Sequence, residues 1–292
     1  MRSRGHDASL HDGIVLGVAH DGWPIGWSVV SSVLVEILAS KRDEVARLES
    51  RRAEIEAAAD AAPPARDFRG ALRGPSLSVV AEIKRRSPSK GDLAPGLDPA
   101  ATARAYESGG AACLSVLTDG LYFGGGAADL VAARADIALP VLRKDFTVDR
   151  LQIDEARAMG ADAVLLIVAA LDDVKLADLH AHAVARGLSV LVEVHDDAEL
   201  DRALALRPHL LGVNARNLAS FEEDLGTGER MIDRIPPEVV AVAESAIRSL
   251  DDATRMADAG FDAVLVGEAL VRSDDPARLV RAFSAVPTRP RA

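Results

Sequence analysis

Cysteine and aromatic residues are scarce in this sequence. A single cysteine among 292 residues excludes an intramolecular disulfide, as is usual for proteins of a reducing compartment. Aromatic residues make up only 3% of a chain that is 49% hydrophobic, so its core must consist mainly of Ala, Val, Leu and Ile. Cys113 lies in the apolar run Ala112–Leu117, and we interpret it as a core residue rather than a nucleophile.

Long hydrophobic runs and basic stripes are also absent from the sequence. No stretch reaches the roughly 18 consecutive apolar residues of a membrane span, because polar residues and a proline interrupt the run Ile14–Leu38. That run has no compact secretory signal either, so we expect a cytoplasmic protein. The net charge of -11 argues against nucleic acid or a membrane surface as partner. An anionic small-molecule substrate would therefore need a local cluster of Lys and Arg.

Eight short apolar runs alternate with helical segments along most of the chain. The runs are rich in Val, Ile and Leu without polar alternation, which is typical of strands buried on both faces of a parallel sheet. They are Ser78–Lys84, Ala112–Leu117, Val141–Asp145, Ala163–Val168, Ser189–Val194, Leu210–Asn214, Val239–Ala243 and Ala263–Val266. Eight β-then-α units predict an α/β fold, a (β/α)8 TIM barrel. A doubly wound open sheet is the alternative, but the loop Arg85–Gly91 is cationic and lacks a dinucleotide-binding glycine pattern.

The segment before the first strand divides into two parts. Residues 1–30 show no clean periodicity, and we expect either a disordered N-terminal extension or a reading frame assigned too far upstream. A helix is predicted from Val33 to about Ala59, with Lys41–Glu44 among its polar positions, and prolines follow it. Its apolar face carries Leu34, Ile37, Leu38, Val45 and Leu48. Residues 31–292 are therefore predicted to form one barrel domain with an extra N-terminal helix.

Charged and polar residues gather at the carboxyl ends of the predicted strands, where barrel enzymes carry their active sites. Glu82 and Lys84 are two residues apart, so both should face the barrel interior. Buried ion pairs that merely close the barrel are the alternative, but they are costly and would not require so many charges. The pattern indicates acid–base chemistry, whereas the seven scattered histidines indicate no metal site. The candidates are Glu82, Lys84, Lys144, Glu193, Asn214, Glu244 and Ser245.

The loops after the seventh and eighth strands are candidates for binding an anion. Many barrels bind phosphate there through backbone N–H groups at the start of a short helix. Gly267 would let the backbone approach a ligand closely, although an ordinary turn glycine is the alternative. Arg216 and Lys84 could add charge-assisted hydrogen bonds.

Five strand-end segments together resemble the indole-3-glycerol phosphate synthase family. They are Ala81–Gly91, Pro140–Phe146, Leu191–His195, Gly212–Leu218 and Ala243–Ser245, and the resemblance spans residues 33–284. It implies a carbon–carbon lyase (carboxy-lyase) of tryptophan biosynthesis that uses neither an organic cofactor nor a metal. The implied reaction closes the ring of 1-(2-carboxyphenylamino)-1-deoxyribulose 5-phosphate, with loss of CO2 and water, to give indole-3-glycerol phosphate.

The resemblance also implies a role for each candidate residue. Lys144 would be the general acid, and Glu193 the general base or electrostatic partner. Lys84 would hold the substrate carboxylate or phosphate, Glu82 would assist proton transfer, and Asn214 would orient the reacting groups. Glu244 and Ser245 would line the site. Residues implied to bind the substrate or its phosphate are Ser87, Arg216, Ala246, Gly267 and Glu268, and those implied to form the anthranilate pocket are Pro88, Phe123, Phe146, Leu165 and Leu218.

Two departures from the family and two other functions bear on this expectation. Ala246 stands where the family usually has Gly, which costs free energy if the position needs positive φ, and Gly126 stands where a helix-capping Ser is usual. A phosphoribosylanthranilate isomerase-like barrel is disfavoured because Cys113 does not end the first strand. A catalytically silent ligand-binding relative is disfavoured because the lysines and carboxylates occur together. The oligomeric state stays open, with a monomer as one of the alternatives, and so does docking with other enzymes of the pathway.

Overall fold

Eight parallel strands close into one barrel, which confirms the predicted (β/α)8 fold. The computed structural model describes residues 32–217 and 220–291, so Leu218 and the extension predicted for residues 1–30 lie outside the described residues. Each strand pairs in parallel with the next along the chain, and the last pairs with the first. The strands are β1 (Ser78–Ile83), β2 (Cys113–Leu117), β3 (Val141–Lys144), β4 (Ala163–Ile167), β5 (Ser189–Val194), β6 (Leu210–Asn214), β7 (Val240–Glu244) and β8 (Ala263–Val266).

Strand ends differ from the sequence-based expectation by one residue at several places. The strands β1 and β3 end one residue earlier than predicted, so Lys84 and Asp145 follow them directly. The strand β7 begins and ends one residue later than predicted, because the ladder with β6 continues to Asn214 opposite Glu244. These shifts leave the inward-facing register unchanged, since side chains alternate between the two faces of a strand.

Helices surround the barrel, and many begin at an aspartate or serine that accepts a hydrogen bond from the first turn. The helix after residue 126 begins at Gly126, which has no capping side chain, as expected. The helices are α1 (Ser32–Leu48), α2 (Arg52–Ala61), α3 (Phe68–Ala71), α4 (Pro99–Gly109), α5 (Gly120–Phe123), α6 (Ala127–Ala135), α7 (Arg150–Ala158), α8 (Asp173–Ala185), α9 (Asp197–Ala205), α10 (Gly226–Met231), α11 (Leu250–Ala259), α12 (Glu268–Val271) and α13 (Pro276–Ser284).

The N-terminal helical segment has two features that the sequence pattern did not show. The predicted helix is present, but a 3-10 turn at Glu49–Arg51 divides it into α1 and α2. Lys41, one of its polar positions, has a side chain that is only 1% exposed. Acidic residues of the barrel approach Lys41 from outside the helix, and no local pattern in the sequence could reveal them.

The barrel interior is apolar at its amino-terminal end and charged at its carboxyl end. Phe68 of α3 is fully buried under the strands, and the buried Cys113 thiol lies 3.6 Å from its carbonyl oxygen, which confirms Cys113 as a core residue. Higher in the barrel, Glu82 lies in register with Ser115 of β2, and Asn214 with Glu244 of β7. Parallel pairing with this register therefore brings polar residues from separate strands to one level.

Candidate active site

A cavity of about 1140 Å³, its open mouth included, lies at the carboxyl ends of the strands. Its position and its mixed lining of apolar and charged side chains are those of a barrel active site. The candidate catalytic residues that line it are Glu82, Lys84, Lys144, Glu193, Asn214, Glu244 and Ser245. Of the other predicted site residues, it is lined by Arg216, Ala246, Gly267, Glu268, Pro88, Phe123, Phe146 and Leu165. Ser87 is absent from the lining, because the short hairpin Arg86–Ser87/Gly91–Asp92 buries it.

Lys144 lies between two carboxyl groups at the centre of this cavity. Its Nζ is 2.8 Å from Oε2 of Glu193 and 3.5 Å from Oε2 of Glu244. Burial alone would lower the pKa of Lys144, but the carboxylates around it, Glu193 foremost, raise that pKa above its ordinary value. Lys144 is therefore an ammonium group and holds a proton that it can donate.

The pKa values of the two glutamates beside Lys144 are shifted in opposite directions. Burial alone would raise the pKa of Glu193, but Lys144 and His195 hold it well below its usual range, which favours the carboxylate. Burial and the negative charge of Glu193 raise the pKa of Glu244 well above its ordinary value, which favours its protonated form. Glu244 packs against Gly212, where a Cβ would lie only 2.0 Å from its Oε1.

His195 lies behind Glu193, on the side away from Lys144. Its Nε2 is 3.3 Å from Oε1 of Glu193, without hydrogen-bond alignment, and its Nδ1 is 3.0 Å from Oε2 of Glu199 on α9. Burial alone would lower the pKa of His195, but these two carboxylates raise it to about 10. Glu193 is therefore flanked by two cations. The sequence shows only that His195 follows a strand, which does not reveal this contact.

A second ion pair, Lys84 with Glu82, lies across the cavity from the first. Their Nζ and Oε1 atoms are 2.6 Å apart, and the hydroxyl of Ser115 donates to the other oxygen of Glu82 at 3.4 Å. A Cβ at Gly267 would lie 2.4 Å from Oε1 of Glu82 and 3.2 Å from Nζ of Lys84. Since Gly267 has an ordinary φ of -117°, a Cβ there would disturb this ion pair and not the backbone conformation.

The loop after β7 has an unusual backbone where phosphate binding was predicted. Ser245 and Ala246 both line the cavity and have φ values of 65° and 60°. Left-handed conformations suit glycine and strain other residues. Position 246 has the positive φ at which an alanine costs free energy, and Ala246 therefore occupies a strained position.

Arg216 and Arg248 form a cationic rim of the cavity, and Glu223 partly neutralises their charge. Nε of Arg216 donates to Glu223 at 3.0 Å, a second guanidinium nitrogen contacts the same oxygen, and the hydroxyl of Ser89 is 3.3 Å away. Arg248 contacts the other oxygen of Glu223, and its side chain is 60% exposed. Sequence reasoning missed Arg248 because it follows a loop and not a strand end.

Apolar side chains form the remaining wall of the cavity. The rings of Phe123 and Phe146 pack with their centroids 6.2 Å apart at an interplanar angle of 38°. Leu34 and Ile37 of α1 also line the cavity, although the sequence suggested only that they face the core. The N-terminal helix is therefore part of the site.

Neither a metal centre nor a membrane-spanning helix occurs within residues 32–217 and 220–291. No group of three or more His, Cys, Asp or Glu side chains within them is placed to hold a metal ion. No helix within them combines the length and apolar character needed to cross a membrane.

A closed parallel barrel with charged side chains converging at the carboxyl ends of its strands defines the class of (β/α)8-barrel enzymes. The family model described as indole-3-glycerol phosphate synthase matches residues 34–283. The chain belongs to the indole-3-glycerol phosphate synthase family, which confirms the resemblance, and it is a carboxy-lyase of tryptophan biosynthesis.

Named relatives are similar over almost their whole length. The indole-3-glycerol phosphate synthase of Leptothrix cholodnii is 50% identical over 253 residues, which cover 85% of this chain and 97% of that protein. The enzyme of Mycobacterium ulcerans is 48% identical over 262 residues, or 89% of this chain and 96% of its own. Among solved structures, N-acetylmannosamine-6-phosphate 2-epimerase from Clostridium perfringens has a TM-score of 0.56 at 15% identity, covering 71% of this chain and 92% of that chain. This last likeness shows the fold alone.

Proposed function

We propose that the chain converts 1-(2-carboxyphenylamino)-1-deoxyribulose 5-phosphate to indole-3-glycerol phosphate, with Lys144 as general acid. The observation that carries this proposal is the position of Lys144, whose Nζ lies 2.8 Å from Glu193 and 3.5 Å from Glu244 inside a partly apolar cavity. The substrate is an anionic aromatic amine, and the cavity offers an aromatic wall, two lysines and a cationic rim.

The polarity of the lining supports one orientation of the substrate. Its aromatic ring lies against Phe123 and Phe146, where burial of apolar surface is favourable. Its phosphate lies near the loop at Ala246, with Arg248 as a partner of opposite charge. The substrate carboxylate pairs with Lys84, which then exchanges part of its contact with Glu82 for the ligand.

Ring closure joins the ring carbon that bears the carboxylate to the ketone carbon. The amine nitrogen supplies electron density, the carbonyl π bond breaks, and the carbonyl oxygen takes the proton of Lys144. The carbonyl oxygen becomes alkoxide-like and basic as the bond forms, so that the ammonium group can transfer its proton at that stage. The positive charge that develops on the amine and ring is stabilised by the carboxylate of Glu193.

Loss of CO2 and then of water completes the reaction. The electrons of the bond to the departing CO2 restore the benzene ring. Lys84 then protonates the new hydroxyl group, which leaves as water, and Glu193 removes the neighbouring methylene proton, with Glu82 assisting the transfer. Asn214 holds the reacting groups in place, and its side-chain oxygen is itself fixed by the backbone N–H of Arg216 at 3.1 Å.

A turnover assay tests this proposal directly. Purified protein is mixed with the substrate, and product is followed by indole fluorescence. We expect Lys144→Ala to lower kcat by about 10²–10⁴-fold, the usual contribution of a general acid. Lys175→Ala is the matched control, because Lys175 lies on α8 outside the cavity lining and its loss should leave kcat unchanged. A parent protein that binds the substrate without converting it would instead support a silent binding module.

A further inference from the structure

A group of buried charges lies beside the cavity, centred on Lys41 of α1. The Nζ atom is 2.8 Å from Oδ1 of Asp145, 2.9 Å from Oδ2 of Asp119 and 2.9 Å from Oε2 of Glu44. These contacts use all three N–H bonds of the ammonium group. The side chains of Lys41, Asp119 and Asp145 are at most 2% exposed.

This group is a costly way to attach a helix to a barrel. Burying an ion pair requires removal of water from both charges, and well-packed apolar residues often stabilise a protein as much or more. Burial alone would lower the pKa of Lys41, but the carboxylates of Asp145, Glu44 and Asp119 raise it above its usual range, so Lys41 is charged. What a buried charge provides and apolar packing does not is a fixed direction for each of its partners.

Each aspartate bonded to Lys41 also fixes the backbone of an aromatic wall segment. Asp119 accepts a hydrogen bond from the backbone N–H of Tyr122 at 2.7 Å and so caps α5, whose last residue is Phe123. Asp145 accepts the backbone N–H of Phe146 at 2.8 Å. One ammonium group therefore connects the two segments whose phenylalanine rings pack together on the cavity wall.

Two further elements of the site meet at the same point. Asp145 directly follows Lys144, the proposed general acid. The helix α1 carries Leu34 and Ile37, which line the cavity about two turns and one turn before Lys41. A displacement of Lys41 would thus move the aromatic wall, the helical wall and the segment holding Lys144 relative to one another.

We propose that Lys41 is a positioning residue that sets the shape of the pocket for the aromatic ring of the substrate. The proposal rests on the proposed function, since it concerns the part of the cavity assigned to that ring. A misplacement of about 1 Å in such a wall can lower the rate by about 100-fold. The phosphate end of the cavity is formed by other segments, the loops after β7 and β8, and should not respond.

The test uses two fragments of the substrate as competitive inhibitors. Anthranilate reports on the ring end and inorganic phosphate on the other end. In Lys41→Met, which keeps an unbranched chain without the charge, we expect the anthranilate inhibition constant to rise about tenfold or more, with a higher KM for substrate. The phosphate inhibition constant should stay within about twofold of the parent value.

A matched control removes a buried ion pair at the opposite end of the barrel. Arg134 contacts Asp162 at 2.9 Å; Asp162 is fully buried just before β4, far from the carboxyl ends of the strands. Arg134→Met removes a cation from a buried carboxylate, as Lys41→Met does. It should lower the melting temperature while leaving both inhibition constants unchanged.

The outcomes separate the positioning role from simple stabilisation and from the proposed function. Equal changes in both constants, or no change in either, would overturn the role of Lys41. If Lys41→Met does not fold, the two inhibition constants are measured in Lys41→Arg, whose planar guanidinium group cannot reproduce three converging contacts. An unchanged ratio of the anthranilate constant to the phosphate constant in that variant overturns the role as well. Direct titration of anthranilate fluorescence gives the ring constant without turnover, so an inactive parent counts against the proposed function alone.

Discussion

Replacing Ala246 with glycine should stabilise this protein, although glycine usually destabilises. Ala246 has a φ of 60°, and a left-handed conformation costs a residue with a Cβ about 1–2 kcal/mol. Glycine relieves that strain but makes the unfolded chain more flexible, which costs about 0.4–1 kcal/mol. The difference predicts a gain of about 0.5–1 kcal/mol for Ala246→Gly. For a domain of this size, the melting temperature should rise by about 1–4 °C.

Thermal unfolding followed by circular dichroism measures this effect, with Ala181→Gly as the control. Ala181 is exposed in the middle of α8 and is not among the residues with positive φ. Glycine there should therefore cost about 1 kcal/mol and lower the melting temperature. The two substitutions are chemically identical and should change stability in opposite directions. If Ala246→Gly lowers the melting temperature as Ala181→Gly does, the strain argument is wrong.

Three further predictions concern the charges of the site. Glu244→Gln should leave kcat within about tenfold of the parent, because its raised pKa favours the protonated form that glutamine resembles. Glu193→Gln should lower kcat by about 10²–10⁴-fold, because its lowered pKa favours the carboxylate. Equal losses in steady-state assays would contradict the opposite directions of the two pKa shifts. Gly267→Ala should lower kcat/KM and not merely stability, because its Cβ displaces Glu82 from Lys84, and an unchanged kcat/KM would refute this. His195→Gln should cost most stability below about pH 6.5 and progressively less as the pH rises through about 10, since a raised folded-state pKa stabilises only the protonated form. Urea unfolding across that pH range measures the difference, which should not be constant.

Local sequence patterns were enough to predict the strands and much of the site. Strand positions follow from short apolar runs between helical segments, and the structure moves their ends by about one residue. The inward direction of Glu82 and Lys84 follows from the two-residue period of a strand. Chain order and strand ends then place Lys144, Glu193 and Asn214 in the same cavity, because parallel strands of a barrel all end on one side.

Tertiary structure alone decided which of these charged groups lie in contact and how the pKa of each is shifted. Glu193 and Glu244 occupy similar positions at strand ends, yet the pKa of Glu193 is lowered and that of Glu244 is raised. Two cations flank Glu193, whereas burial and the charge of Glu193 outweigh Lys144 at Glu244. Lys41 looks like a surface residue within its helix and is buried only because aspartates from two distant loops reach it. The periodic pattern that assigns a side chain to one face of a helix or strand depends on its neighbours in sequence. Its electrostatic energy depends on distances across the folded molecule.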